Sequence, residues 1–198
     1  AVRRWLQPEP NAPLPPALVL GSVWEADEAV LFSVLLQVEF RHLRLIVAPH
    51  DPSADNVDRI CQAFAADGTV RFSALLNGWT PPATERVPRV LVIDNVGHLN
   101  TLYRYGVVAY IGGGFGRGIH NTLEPAAFGL PVLFGPHYQH FEEARQMVAR
   151  RGAFCVESSG EVATTLRMLL EPMAYRTASE AVKKYLQDSS GATRRVLD

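Results

Sequence analysis

The run VVAYI at residues 107–111 leads directly into GGGFGRG at residues 112–118. An apolar run without polar alternation is typical of a strand that is covered on both faces, as strands of parallel sheets are. Five glycines within the seven following residues allow sharp turns and a close approach of the backbone to a ligand. The stretch therefore predicts the end of a buried parallel strand at the ligand-binding edge of an α/β sheet.

The remainder of the chain alternates short apolar runs with longer segments of helical periodicity. The predicted strands are residues 18–20, 43–48, 90–93, 107–111, 132–134 and 154–156. The first five are followed in turn by predicted helices at 25–40, 55–66, 96–105, 121–128 and 141–150, and two more helices follow the last strand. This order predicts the α/β class, with a Rossmann-like, doubly wound parallel sheet. Residues 67–88 and 171–198 give weaker patterns.

A proline-rich segment precedes the first predicted strand. Residues 8–16 read PEPNAPLPP, and five prolines in nine positions favour an extended linker over a helix or a strand. We therefore expect residues 1–17 to be the remnant of an interdomain linker and residues 18–198 to form one folded domain. Because the sequence starts Ala-Val-Arg-Arg, we expect it to be a fragment cut near that linker.

Composition argues against several functional classes. With 19 basic and 20 acidic side chains among 198 residues, no nucleic-acid partner is expected, because such binding depends largely on Lys and Arg. The apolar runs fall short of the roughly 18 residues of a membrane span, so we expect a soluble fragment. Cys61 and Cys155 are too far apart for a Cys-x-x-Cys pair, and His137 and His140 lack an obvious carboxylate partner, so no metal site is expected.

The glycine-rich stretch matches neither common phosphate-binding motif. Counted from Gly112 or Gly114, the third glycine of the dinucleotide motif G-x-G-x-x-G is replaced by Arg117 or Ile119. The P-loop fails too, because the required Lys and Ser or Thr do not follow Gly118. These mismatches argue against a common dehydrogenase and a P-loop phosphotransferase.

The segment after the glycines has the features of a helix start. Asn121 is a favoured capping residue, and Glu124 would stand at the third helical position, where it completes a capping box. Two interpretations follow, and they are compatible. Glu124 is only a capping residue, or its carboxylate also accepts hydrogen bonds from a ribose diol.

Four segments resemble, in order, motifs of one enzyme family. GGGFGRGIHNTLEPAAFGLPVLFGP at residues 112–136 resembles the signature of the 3-deoxy-D-manno-octulosonic acid (Kdo) transferases of lipopolysaccharide assembly, which contains His-Asn-x-Leu-Glu-Pro-Ala-Ala. GSVWEADEAVL at 21–31, VIDNVGHLNTLY at 92–103 and YLQDSSGATRRVLD at 185–198 resemble other segments of that family. The resemblance covers essentially residues 18–198.

The resemblance implies a fold and a function. The domain would be the C-terminal, donor-nucleotide-binding half of a GT-B glycosyltransferase, with CMP-Kdo as donor substrate and no cofactor. The acceptor would be a lipid A precursor, bound through a missing N-terminal domain that also carries the catalytic base and meets the cytoplasmic face of the bacterial inner membrane. No catalytic residue is therefore assigned here. The fragment is expected to bind CMP weakly and to transfer no sugar alone.

By motif position, the resemblance assigns donor-binding residues at the ends of the predicted strands. The main set comprises Pro49, His50, Val96, Gly97, His98, Asn121, Thr122, Leu123 and Glu124. A second set comprises Ser22, Gly113, Gly114 and Arg117. A helix cap accounts for Ser22 equally well, and a solvated loop charge is the alternative for Arg117.

Two residues depart from the family pattern. His50 stands where members commonly have Arg, so a permanent cation is replaced by an imidazole whose charge depends on pH. His98 stands where many members have Glu. These two residues leave open a non-catalytic nucleotide-binding domain. Another nucleotide-sugar transferase or a UDP-sugar epimerase domain is a second alternative, because it would reuse the Glu at the helix start for the ribose.

Overall fold

The computed structural model describes residues 1–7, 13–80 and 86–196, and they contain one sheet of seven parallel strands. The strands are β1 (Ala17–Val23), β2 (Arg44–Pro49), β3 (Thr69–Arg71), β4 (Val90–Val92), β5 (Val108–Ile111), β6 (Val132–Phe134) and β7 (Ala153–Cys155). Their order across the sheet is β3-β4-β2-β1-β5-β6-β7. The order reverses between β1 and β5, which makes the carboxyl ends of these two strands the expected ligand-binding edge.

Helices cover both faces of the sheet. They are α1 (Val2–Leu6), α2 (Glu25–Leu35), α3 (Ala54–Ala63), α4 (Phe72–Leu76), α5 (Leu99–Leu102), α6 (Leu123–Ala127), α7 (Glu142–Ala149), α8 (Ser159–Leu170) and α9 (Pro172–Val196). Neighbouring strand residues such as Leu45 and Ile46 belong to different buried clusters, one against α2, α3 and α8 and the other against α1, α4, α7 and α9. The predicted doubly wound α/β fold is confirmed. In the described part of the chain, no helix has both the length and the apolar character of a membrane span.

The first six residues do not behave as a linker. Val2, Trp5 and Leu6 of α1 are buried, and the Trp5 indole N–H donates to the carbonyl oxygen of Pro88 at 2.8 Å. The prediction of a linker is therefore wrong for α1, because its apolar face packs on the sheet. Residues 8–12 lie outside the described residues, and the origin of the segment as an interdomain linker stays a prediction.

The sequence patterns did not reveal β3 and α4. β3 has three residues, too few for a hydrophobic period, and its place depends on parallel pairing of Val70 with Leu91 of β4. α4 begins directly after it, and the Asp94 carboxylate accepts hydrogen bonds from the backbone N–H and the hydroxyl of Ser73 in its first turn. Contacts with a distant segment thus define these two elements.

One buried guanidinium joins the loops at the amino ends of the strands. Arg89 is 3% exposed and donates to the carbonyl oxygens of Leu35, Phe40 and Leu43 at 2.8–2.9 Å and to the Asp67 carboxylate at 2.6 Å. Because a buried cation requires such partners, the ends of α2, β2 and β4 are held together by one side chain.

Replacement of Arg89 is expected to lower the free energy of unfolding. Arg89→Ala leaves the Asp67 carboxylate without its buried partner, so we expect a loss of about 3–5 kcal/mol. Urea unfolding measures it, and Arg104→Ala, which removes an exposed Arg, should change the value by no more than about 0.5 kcal/mol. Equal effects of the two substitutions would contradict the assigned role.

Candidate functional site

The carboxyl ends of β1, β2 and β5 meet at one place. The His50 N–H donates to the Val23 carbonyl oxygen at 2.9 Å, and the Gly112 N–H donates to the Gly21 carbonyl oxygen at 2.8 Å. The imidazole rings of His50 and His120 stack with their centres 4.5 Å apart. The structure therefore brings the predicted residues after β1, β2 and β5 together at the edge where the strand order reverses.

The carboxylate of Asp27, at the start of α2, is the best-connected group of this edge. It is fully buried; one oxygen accepts the backbone N–H groups of Trp24 and Gly113, each at 2.9 Å, and the other accepts the Tyr110 hydroxyl at 2.7 Å. Burial and the Asp27 charge raise the pKa of Tyr110, which keeps this hydroxyl a donor. The sequence prediction missed Asp27, although an acidic residue in the first turn of a helix directly after β1 was a visible signal.

Most amides of the glycine-rich loop are bound to the protein itself. Gly113 donates to Asp27, Gly112 to Gly21, and both Gly116 and Gly118 to the Gly113 carbonyl oxygen. Most of these amides are therefore not available to an anion. Among the described residues, the Gly114 N–H is the one glycine amide of this loop that donates no hydrogen bond.

Close backbone packing explains the glycines. A Cβ at Gly112 would collide with the Ser22 carbonyl oxygen, and Gly113 has φ +95°, a left-handed conformation that favours glycine. Ser22 itself has φ +54°, where the chain bulges at the end of β1. The loop is thus shaped by packing against β1, and the ligand-binding roles of Ser22, Gly113 and Gly114 stay predictions.

The start of α6 differs from the predicted capping box. Thr122 is the N-cap, so Glu124 stands at the second helical position and accepts a hydrogen bond from the Asn121 side-chain amide at 3.3 Å, whereas a box requires the backbone N–H of the cap. The Asn121 side-chain oxygen accepts the Leu123 N–H at 2.9 Å. One Glu124 oxygen accepts no hydrogen bond within the described part of the chain.

Two further observations concern the surroundings of the Glu124 carboxylate. Thr122 is fully buried, and its hydroxyl has no hydrogen-bond partner among the described residues. Burial, together with the charge of Glu124, raises the pKa of Tyr103. The aromatic hydroxyl of Tyr103 lies against Gly21, where a Cβ would collide with it. The charge of Glu124 therefore acts on a hydroxyl that lies at the end of β1.

The segment Val96–His98 lies on the loop after β4, farther along the same edge. Val96 is 77% exposed, Gly97 has φ +88°, and His98 precedes α5 with its ring centre 5.1 Å from that of Phe72. In the ranges that the structure describes, no hydrogen bond or ring contact joins these residues to His50 or to 121–124. The helix predicted at 96–105 begins only at Leu99, after this turn.

Cationic groups at the site are few. Arg117 is exposed and forms no ion pair with the described residues. His137 donates its backbone N–H to Gly114, and its ring contacts the Gly116 carbonyl oxygen at 2.6 Å. No cluster of three or more His, Cys, Asp or Glu side chains suited to a metal occurs in the described ranges.

Trp24 and His120 lie at the same edge of the sheet as His50. The sequence prediction assigned neither residue to the site. The Trp24 indole N–H donates to His120 Nε2 at 3.0 Å, and the Trp24 and His50 rings stack with their centres 4.0 Å apart. Burial lowers the pKa of His120, the charge of His50 acts in the same direction, and the Asp27 carboxylate opposes them. Three loops contribute these rings, so local sequence spacing does not reveal them.

Comparison with known proteins shows sequence similarity to one group of enzymes. The 3-deoxy-D-manno-octulosonic acid transferase of Bordetella pertussis is 30% identical over 192 residues, covering 92% of this chain and 44% of that protein. The transferase of the same name from Chlamydophila psittaci is 29% identical over 163 residues, covering 81% of this chain and 36% of that protein. The chain is a homologue of the Kdo transferases. It spans less than half the length of these curated relatives.

Structural comparison supports the same fold. The C-terminal CMP-Kdo binding domain of WaaA from Acinetobacter baumannii superposes with a TM-score of 0.73 at 24% identity, covering 87% of this chain and 89% of that chain. No protein-family model matches the chain. The sheet and its helices are those of the C-terminal half of a GT-B glycosyltransferase, as the sequence predicts.

Removal of the Asp27 carboxylate is expected to loosen the edge where α2, β5 and the glycine-rich loop meet. Asp27→Ala leaves the buried Gly113 N–H and Tyr110 hydroxyl and the partly buried Trp24 N–H without their acceptor. Each buried unpaired donor costs about 1–3 kcal/mol, so urea unfolding should show a loss of about 3–5 kcal/mol. Asp27→Asn keeps one acceptor oxygen and should cost less. Asp55→Ala, at an exposed position in the first turn of α3, is the control and should cost about 1 kcal/mol or less. A stability of Asp27→Ala equal to that of Asp55→Ala would contradict the role of Asp27.

Proposed function

We propose that this chain is the donor-nucleotide-binding domain of a Kdo transferase and that it binds CMP-Kdo. The observation that carries the proposal is the Glu124 carboxylate in the first turn of α6, which has one oxygen unused, in a chain homologous to these transferases. An open carboxylate oxygen suits the two hydroxyls of a ribose. Asn121 orients it through the hydrogen bond to the other oxygen.

The donor phosphate needs positive charge, and the proposed ligands are His50 and Arg117. His50 stands at the end of β2 and Arg117 on the glycine-rich loop, both exposed at the carboxyl edge of the sheet. Charge that develops on the departing CMP phosphate is stabilised by cations and by hydrogen-bond donors held in place before the reaction. Pro49, Asn121, Thr122 and Leu123 shape the remainder of the proposed site. No cofactor beyond the donor substrate takes part in this proposal.

Transfer also requires a base that takes the proton of the acceptor hydroxyl. The Asp27 and Asp94 carboxylates at this edge are occupied by hydrogen bonds from the protein itself. We therefore place the base, the lipid A precursor and the contact with the cytoplasmic face of the inner membrane on the part of the longer protein outside this chain. The short coverage of the relatives supports this division.

His50 and His98 favour a second candidate, a nucleotide-binding domain without catalysis. A permanent Arg is replaced by a titratable ring at the proposed phosphate position, which weakens phosphate binding at high pH. Another nucleotide-sugar transferase or an epimerase would keep the ribose contact and change the base preference.

Calorimetric titration with CMP, UDP and AMP distinguishes these functions. We expect selective binding of CMP that weakens at least tenfold in Glu124→Ala, because a charged hydrogen bond is worth about 1.5–3 kcal/mol. Glu180→Ala, at an exposed position on α9, should leave the affinity unchanged. Selective UDP binding would favour another nucleotide-sugar enzyme, and an unchanged affinity in Glu124→Ala would exclude the ribose contact.

We further expect that the chain alone transfers no sugar. An assay that supplies labelled CMP-Kdo and a lipid A precursor should detect no glycolipid product with this chain, because the proposed base lies elsewhere. A longer protein that includes the remaining half should form product under the same conditions. Product formation by the chain alone would overturn the proposed division.

A further inference from the structure

Three rings at the carboxyl ends of β1, β2 and β5, those of Trp24, His50 and His120, form what we call the ring assembly. The Trp24 and His120 planes differ by 10° with centres 6.4 Å apart, so the two rings lie nearly parallel and are joined by the Nε1–Nε2 hydrogen bond. His50 stacks on both, 4.0 Å from the centre of Trp24 and 4.5 Å from that of His120.

The hydrogen bond between Trp24 and His120 determines where the His120 proton sits. An indole N–H donates and cannot accept, so the Nε2 atom that receives it at 3.0 Å must carry a lone pair. His120 is then neutral with its proton on Nδ1. A second proton, on Nε2, would place two N–H groups opposite each other, and the hydrogen bond between Trp24 and His120 would be lost.

The surrounding charges also influence the protonation state of His120. The groups that influence His120 are His50, on the loop after β2, and Asp27, on α2. The Asp27 carboxylate is already engaged by three donors, two backbone N–H groups and the Tyr110 hydroxyl. Two imidazolium rings 4.5 Å apart would repel each other, so a charge on His50 favours the neutral form of His120.

We propose that Trp24 is a positioning residue that fixes His120 as its neutral Nδ1–H tautomer. The role of this tautomer rests on the proposed function, in which the ring assembly faces the donor phosphate. His120 then offers its Nδ1–H to that phosphate, and loss of the Trp24 donor weakens donor binding.

Nitrogen-detected NMR of the histidine rings tests the tautomer without any ligand. At neutral pH, the His120 Nε2 of the unmodified chain should have the chemical shift of an unprotonated ring nitrogen. In Trp24→Phe, which keeps a ring face and removes the donor, His120 should show both tautomers. Trp79→Phe, at a tryptophan outside the ring assembly, is the control and should leave the His120 spectrum unchanged.

Two results would overturn the proposal. One is a protonated His120 Nε2 in the unmodified chain at neutral pH, and the other is an unchanged His120 spectrum in Trp24→Phe. Because Trp24 is 46% exposed, the substitution should not unfold the chain, and far-ultraviolet circular dichroism verifies this.

CMP titration as a function of pH tests the link to binding. We expect Trp24→Phe to bind CMP about threefold to tenfold more weakly at neutral pH and to show a steeper dependence on pH than the unmodified chain, because one hydrogen bond is lost and His120 is free to take up a proton. The comparison between the two proteins removes the ionisation of CMP itself. If neither protein binds CMP, the proposed function fails and the NMR result alone decides the tautomer. Equal pH profiles of two proteins that bind CMP would overturn the link.

Discussion

The buried carboxylate of Asp27 joins three segments of the chain at the point where the strand order of the sheet reverses. It connects α2 with the Tyr110 hydroxyl of β5 and with the Gly113 N–H that opens the glycine-rich loop. A buried charge is tolerated only when donors satisfy it, so each partner has little freedom to move. The path of the loop and the place of Trp24 at the site both follow from this contact, which fixes the geometry of the edge before any ligand arrives.

Glycines and polar side chains have different roles at the carboxyl edge of the sheet. The glycines after β5 allow tight packing against Ser22 and among themselves, and most of their amides bind protein acceptors. In a P-loop, by contrast, such amides cradle the phosphates. Recognition of the nucleotide in our proposal therefore falls to side chains that surround the loop, above all Glu124 and His50. The relation to the Kdo transferases is consistent with that division, because the resemblance includes the segment that carries Glu124.

The sequence predicted those parts of the fold that depend on local pattern. The strand predicted at 132–134 is β6 residue for residue, and the buried apolar runs identify the other central strands. β3 and α1 were missed because they are defined by contacts with distant segments, as Trp5 is by its bond to Pro88. In the site, the loops were found from their places after strands, but the partners of Asp27 and the ring assembly join residues far apart in the chain. No local spacing encodes such contacts.

Mapping of backbone amide chemical shifts during addition of CMP tests most directly whether the edge organised by Asp27 is the nucleotide site. The largest changes should fall at the ends of β1, β2 and β5 and at the start of α6, with Gly114 and Leu123 among them. Changes confined to the groove lined by Pro16, His42 and Tyr175, beside the amino ends of β1 and β5, would contradict this location. So would saturable binding that leaves the amides around Glu124 unperturbed.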